Sequence, residues 1–69
     1  MTDQIDGAVG TMSVASRGRE GPGEVSLRLP GGGSQTYIAY STEPIPMGAR
    51  VAVFDTRPGR CVDVEPIDA

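Results

Sequence analysis

The sequence predicts an all-β fold, a small Greek-key barrel with little or no helix. Short runs of alternating apolar and polar residues recur along the chain, which is the pattern of half-buried strands. Ten glycines and six prolines in 69 residues divide these runs by tight turns. Closing the sheet removes its exposed edges, so five such short strands favour a barrel of the OB-like type.

The first strand is predicted at residues 5–15, where Met12 and Val14 fall on the same face of a loose alternation. Glycines within this run permit it to bend. Residues 16–23 combine glycine, proline and charged side chains, which is the composition of a surface loop. The clearest alternation follows at residues 24–29 and predicts the second strand.

The third strand is predicted at residues 35–41, and a connection rich in proline follows it. Residues 49–56 and 60–67 form the fourth and fifth strands, joined by a turn with proline at its first corner. No run has a 3.6-residue apolar period long enough for an α-helix. We therefore expect a flexible N-terminus at residues 1–4, one barrel domain at residues 5–67 and a short tail at residues 68–69.

Three consecutive glycines between the second and third strands predict a hairpin corner, and they leave two registers open. A loop of residues 30–32 would place Val25 opposite Tyr37, with Tyr37 inward and Tyr40 outward. A loop of residues 30–33 would exchange the two faces and expose Tyr37. A phosphate-binding loop is excluded because no Gly-Lys-Ser/Thr follows the glycines and no helix begins there.

Charge, cysteine content and hydropathy make several classes of function unfavourable for this sequence. The formal net charge is −3, with no histidine and no lysine, so bulk electrostatics favours neither nucleic acid nor an anionic membrane. Cys61 is the only cysteine and forms no intramolecular disulfide, which favours a reducing, cytoplasmic location. We find neither a secretory leader nor an apolar run long enough to insert into a membrane.

No pattern of residues in the sequence indicates a catalytic mechanism. Triads that need histidine are excluded, and Cys61 has no neighbouring base in sequence to lower its pKa. A solvated polar face explains Asp55, Asp63 and Glu65 without a metal ion. A biotinyl or lipoyl carrier would need a lysine. We predict no enzyme activity, no cofactor and no metal.

The spacing of glycines and small apolar residues over residues 5–66 resembles the C-terminal domain of the NfeD family. The matching elements are Gly7-x-x-Gly10, Pro22-Gly23-x-Val25-x-Leu27, Tyr37-x-Ala39-x-Ser41, Gly48 before Val51 and Val53, and Val62-x-Val64-x-Pro66. The resemblance implies a bacterial or archaeal OB-fold domain, here without the membrane helices or protease domain of other members. It also implies association with membrane-associated partners of the stomatin and flotillin kind.

A protein-binding patch of Arg28, Ile38 and Tyr40 is predicted from the first register, because arginine and aromatic anchors carry much of the energy of interfaces. In this hypothesis Arg28 lies near the other two side chains. The alternative is that Tyr40 has only a structural role and covers the barrel wall. A homo-oligomer is a further possibility, since small barrels can associate through strand edges.

Single-stranded nucleic acid is the alternative partner, because OB folds stack bases on strand aromatics. The residues available for this are Tyr40, Phe54, Arg28, Arg50, Arg57 and Arg60. Nine acidic residues outnumber the six arginines, so protein binding is favoured and nucleic acid is the minor alternative.

Overall fold

The computed structural model describes residues 7–67. The predicted flexible N-terminus at residues 1–4, the first two residues of the predicted first strand and the predicted tail at residues 68–69 lie outside this range. Within it, seven strands and one short 3-10 turn are formed, namely β1 (Val9–Val14), β2 (Ser16–Arg17), the 3-10 turn (Gly18–Glu20), β3 (Gly23–Arg28), β4 (Ser34–Tyr40), β5 (Pro44–Ile45), β6 (Arg50–Arg57) and β7 (Cys61–Pro66).

The five longer strands form a closed barrel in the order β1-β3-β4-β7-β6. Strand β6 closes the barrel against β1, and every pairing is antiparallel except the parallel pair of β4 and β7. The predicted all-β, OB-like barrel is therefore confirmed. The two remaining strands, β2 and β5, pair with each other in a small separate sheet. Among the described residues no helix is long and apolar enough to cross a bilayer.

The barrel interior is filled by the inward side chains of alternating strand positions. Each of the five barrel strands contributes at least one of these side chains, and Ile45 of β5 covers one end. The buried apolar residues are Met12, Val25, Leu27, Ala39, Ile45, Val51, Val53, Val62 and Val64. Most are β-branched or otherwise compact, which suits the narrow interior of a five-stranded barrel.

Pro30, Gly31 and Gly32 form a three-residue hairpin loop. Leu29 and Gly33 close it, since the Leu29 amide donates to the Gly33 carbonyl at 3.0 Å. Gly31 has a φ of 84° and is followed by two further glycines with positive φ, a backbone path that other residues rarely take. Val25 therefore pairs with Tyr37, as the first of the two predicted registers requires.

The prediction that Val14 lies on the same face as Met12 is wrong, since Met12 is buried. Val14 is exposed because the ladder between β1 and β3 shifts between Met12 and Val14. An extra residue in one strand inverts the alternation beyond it. After the bulge the chain leaves the barrel sheet and forms the two residues of β2.

The predicted loop at residues 16–23 is more ordered than its composition indicates. Ser16 is buried, and its hydroxyl lies 2.7 Å from the hydroxyl of Ser41. It also accepts a hydrogen bond from the Gly18 amide at 3.1 Å. These bonds, together with the pairing of Ser16 with Ile45, fix the loop against the connection between β4 and β6. The pairing is long-range, so local composition does not show it.

The substitution Ser16→Ala is expected to destabilise the domain by about 1–3 kcal/mol, because it leaves the buried Gly18 amide without its acceptor. Urea denaturation followed by circular dichroism measures the change. Ser13→Ala, at an exposed position of β1, is the matched control and should change stability by less than about 0.5 kcal/mol. Equal stability of the two variants would contradict the structural role given to the Ser16 hydroxyl.

Candidate functional site

The structure separates the three residues predicted to bind a partner. Ile38 and Tyr40 both lie on the outer face of β4, with Ile38 exposed and Tyr40 half-buried. Arg28 pairs with Ser34 at the opposite end of β4. Tyr40 lies six residue steps beyond Ser34, so Arg28 and Tyr40 lie roughly 20 Å apart along the strand at about 3.3 Å per residue. The expectation that Arg28 lies near Tyr40 is not met.

Tyr40 instead borders an open groove of about 480 Å³, which we call the Phe54 groove. Its lining comes from the 3-10 turn and the residues after it, from the end of β4 and the chain beyond it, and from β6 and β7. The lining residues are Gly18, Arg19, Gly21, Pro22, Tyr40, Ser41, Thr42, Glu43, Phe54, Arg57, Asp63, Val64, Glu65 and Pro66.

Three side chains from three strands interlock beside this groove. Tyr40 of β4 lies next to Asp63 of β7, because the parallel register pairs these residues. The Arg57 guanidinium lies over the Tyr40 ring, 4.3 Å from its centroid, in cation–π geometry. It also donates two hydrogen bonds to the Asp63 carboxylate, at 3.0 Å from Nε and at 2.6 Å from the terminal nitrogen.

The contacts of Arg57 with Tyr40 and Asp63 determine the electrostatics of this part of the Phe54 groove. The hydrogen bonds to Asp63 raise the pKa of Arg57 above its ordinary value, so the guanidinium stays charged throughout the physiological range. The bidentate geometry fixes the plane of the guanidinium as well as its position. Arg57, Asp63 and Tyr40 therefore present a rigid polar and aromatic surface.

Phe54 supplies the apolar part of the groove. The ladder between β6 and β7 shifts between Val53 and Asp55, so Phe54 occupies the irregular position between them. Val53 stays in the core while the residue Phe54 is 57% exposed. Phe54 is opposite in phase to the buried Val51 and Val53, so the alternation of β6 accounts for its exposed position.

The groove has a slight excess of negative charge. Its lining includes the basic residues Arg19 and Arg57 and the acidic residues Glu43, Asp63 and Glu65. Arg57 and Asp63 neutralise each other through their salt bridge. Two carboxylates and one guanidinium remain to contact a ligand.

Candidate metal ligands do not converge in the part of the chain that the structure describes. No group of three or more histidine, cysteine, aspartate or glutamate side chains is close enough to hold an ion within residues 7–67. Asp63 binds Arg57, and Asp55 accepts a hydrogen bond from the Thr56 amide at 2.9 Å. The free thiol of Cys61 is half-buried on β7.

Comparison with known proteins agrees with this architecture. The family model of the NfeD C-terminal domain matches residues 9–65. Among solved structures, the chain is similar to the C-terminal domain of stomatin operon partner protein 1510-C from Pyrococcus horikoshii, with a TM-score of 0.67 and 20% sequence identity. That similarity covers 100% of each chain and shows a shared fold. No curated protein matches the chain.

Proposed function

Because the chain belongs to the NfeD C-terminal domain family, we propose that it is a non-enzymatic module that binds a protein partner through the Phe54 groove. The observation that carries this proposal is the exposed Phe54 ring beside the Tyr40, Arg57 and Asp63 interlock. An exposed aromatic ring next to a preorganised arginine is the type of anchor that dominates binding energy at interfaces.

The site revises the patch predicted from sequence. Tyr40 lies in the groove, Ile38 lies two residues before it on the same outer face, and Phe54 is added. Arg28 is omitted because it lies at the other end of β4. The groove borders residues 16–22, the connection between the first two barrel strands, which OB folds commonly use for ligands.

We propose a membrane-associated protein of the stomatin or flotillin kind as the partner, with the module on the cytoplasmic side. The structurally similar archaeal domain belongs to a protein named as a stomatin operon partner, which supports this choice. The groove fits a segment that inserts an apolar side chain against Phe54 and places a basic residue near Glu43 and Glu65. Self-association through Phe54 is the competing protein interaction.

The arginines give the nucleic-acid alternative little support. Tyr40 and Phe54 share the groove, but Arg57 is neutralised by Asp63 and the groove retains two carboxylates. Arg28 and Arg50 line a different surface. A protein interface of this type should keep its affinity as salt rises, whereas nucleic-acid binding weakens steeply.

Affinity capture of the tagged protein from its own cell extract tests the proposed partner class, with nuclease and a mild detergent present. We expect recovery of a stomatin-type or flotillin-type protein that is insensitive to nuclease. Direct binding of the purified pair, measured by calorimetry, must then reproduce the interaction. Loss of all bound material after nuclease would contradict the proposal and favour nucleic acid.

The substitution Tyr40→Ser is expected to weaken partner binding by about fivefold, because it removes the ring that supports Arg57, a loss of about 1 kcal/mol. Calorimetry with the purified partner measures the affinity. Thr36→Ser, on the same face of β4 but outside the groove, is the control and should bind normally. Unchanged affinity and folding of the Tyr40 variant would remove Tyr40 from the site.

A further inference from the structure

We propose that the outer surface where β1, β3 and β6 meet binds a small ligand through a phosphoryl or sulfate group. This surface, the Arg28–Arg50 site, borders an open depression of about 450 Å³ and shares none of its described lining residues with the Phe54 groove. It is lined by Val9, Gly10, Thr11, Ser26, Arg28, Ser34 and Arg50. A site of this kind is separate from the proposed protein interface.

Strand register brings the two arginines to this surface from opposite sides of β1. Thr11 pairs with Ser26 on β3 and with Arg50 on β6, so the three residues form a row across the barrel. Gly10 pairs with Leu27, which places Arg28 one step beyond that pair. Strand spacings put the two arginine Cα atoms roughly 12 Å apart, close enough for both long side chains to reach one ligand.

The positive charge of the Arg28–Arg50 site has no partner among residues 7–67. Neither arginine forms a salt bridge or a side-chain hydrogen bond there. No carboxylate of the described residues 7–67 lines the site. Arg57, in contrast, donates two hydrogen bonds to Asp63. Two guanidinium groups without counter-charges repel each other, and an anion bound between them is attracted to both.

The neighbouring hydroxyl groups favour a phosphoryl or sulfate group over a carboxylate. One guanidinium already satisfies a carboxylate through bidentate hydrogen bonds. A phosphoryl group offers three strong acceptor oxygens, so it can use both arginines and additional donors. Thr11, Ser26 and Ser34 supply hydroxyl donors beside Arg28 and Arg50.

Titration of the isotope-labelled chain with inorganic phosphate, followed by NMR at constant ionic strength, tests the Arg28–Arg50 site. We expect saturable shifts of the amides of Thr11, Ser26, Arg28 and Arg50. The double variant Arg28→Gln and Arg50→Gln should weaken binding by at least about tenfold, because it removes charge-assisted hydrogen bonds. The double variant Arg17→Gln and Arg60→Gln is the matched control, because it removes the same charge at exposed positions outside both sites, and it should not change binding.

Sedimentation with phosphatidylcholine vesicles, with and without phosphatidic acid, distinguishes the sources of the phosphoryl group. Binding to acidic vesicles that the double variant loses supports a lipid headgroup, and saturable binding of phosphate alone supports a soluble ligand. Shifts that do not saturate, or that persist in the double variant, would overturn the proposal. Binding of oligothymidylate that shifts these amides together with that of Phe54 would also overturn it, because one continuous nucleic-acid surface would then explain the data.

Discussion

The substitution Gly23→Ala is expected to unfold the domain. Gly23 is the first residue of β3 and is buried. It lies beside the bulge of β1. A Cβ atom at this position would overlap the carbonyl oxygen of Val14 and lie 2.6 Å from the carbonyl carbon of Ala15. Both contacts are with backbone atoms, which cannot rotate away as a flexible side chain can. The glycine is required here for space.

The expected cost exceeds the stability that a domain of this size has available, roughly 3–5 kcal/mol. Circular dichroism and the dispersion of NMR amide signals detect the loss of structure. Gly31→Ala is the control, since no atom lies within 4 Å of its added Cβ and only its φ of +84° is unfavourable. That variant should lose about 1–2 kcal/mol and stay folded. A Gly23→Ala protein with the melting temperature of the unsubstituted chain would contradict the packing at the β1 bulge.

The substitution Phe54→Ser is expected to weaken partner binding by about 30-fold or more, because it removes the one large apolar side chain that is exposed among the described residues lining the groove. A central aromatic anchor is typically worth at least about 2 kcal/mol of binding free energy. The stability of the domain should change little, since the ring is already more than half exposed in the free protein. Calorimetry with the purified stomatin-type partner measures the affinity.

Met47→Ser is the matched control for Phe54→Ser. Met47 is another exposed apolar side chain, but it lies outside the groove. Its replacement should leave the affinity unchanged. Equal losses for the two variants would point to general hydrophobic adhesion, and no loss for either would exclude the groove. Sedimentation of the free protein at increasing concentration separates partner binding from self-association through Phe54.

The barrel could be predicted from sequence because its strands carry their own alternation. Val25 and Leu27, and likewise Val62 and Val64, mark inward faces without reference to any other part of the chain. The two-residue strands β2 and β5 could not be found in this way. They exist through a pairing between segments nearly 30 residues apart, Ser16 with Ile45, and neither segment is long enough to show a period.

The candidate site was harder to predict than the fold. The separation of Arg28 from Tyr40 follows from the three-residue loop itself, since that loop pairs Arg28 with Ser34. The register could therefore have excluded the predicted patch. The interlock of Tyr40 with Arg57 and Asp63 needs the parallel pairing of β4 with β7, for which the sequence carries no local signal. Alternation with the inward Val51 and Val53 places Phe54 on the outer face of β6, but the bulge that follows Val53 has no local signal in the sequence.

We propose that the Phe54 groove binds the partner, and the measurement that decides this is residue-resolved NMR of the labelled domain with the purified stomatin-type protein. We expect the largest signal changes at Tyr40, Phe54 and Asp63, and we expect them to be reduced in Phe54→Ser. Changes centred on Ser26 and Arg28 with an unaffected groove, or binding without any change in the groove, would contradict it.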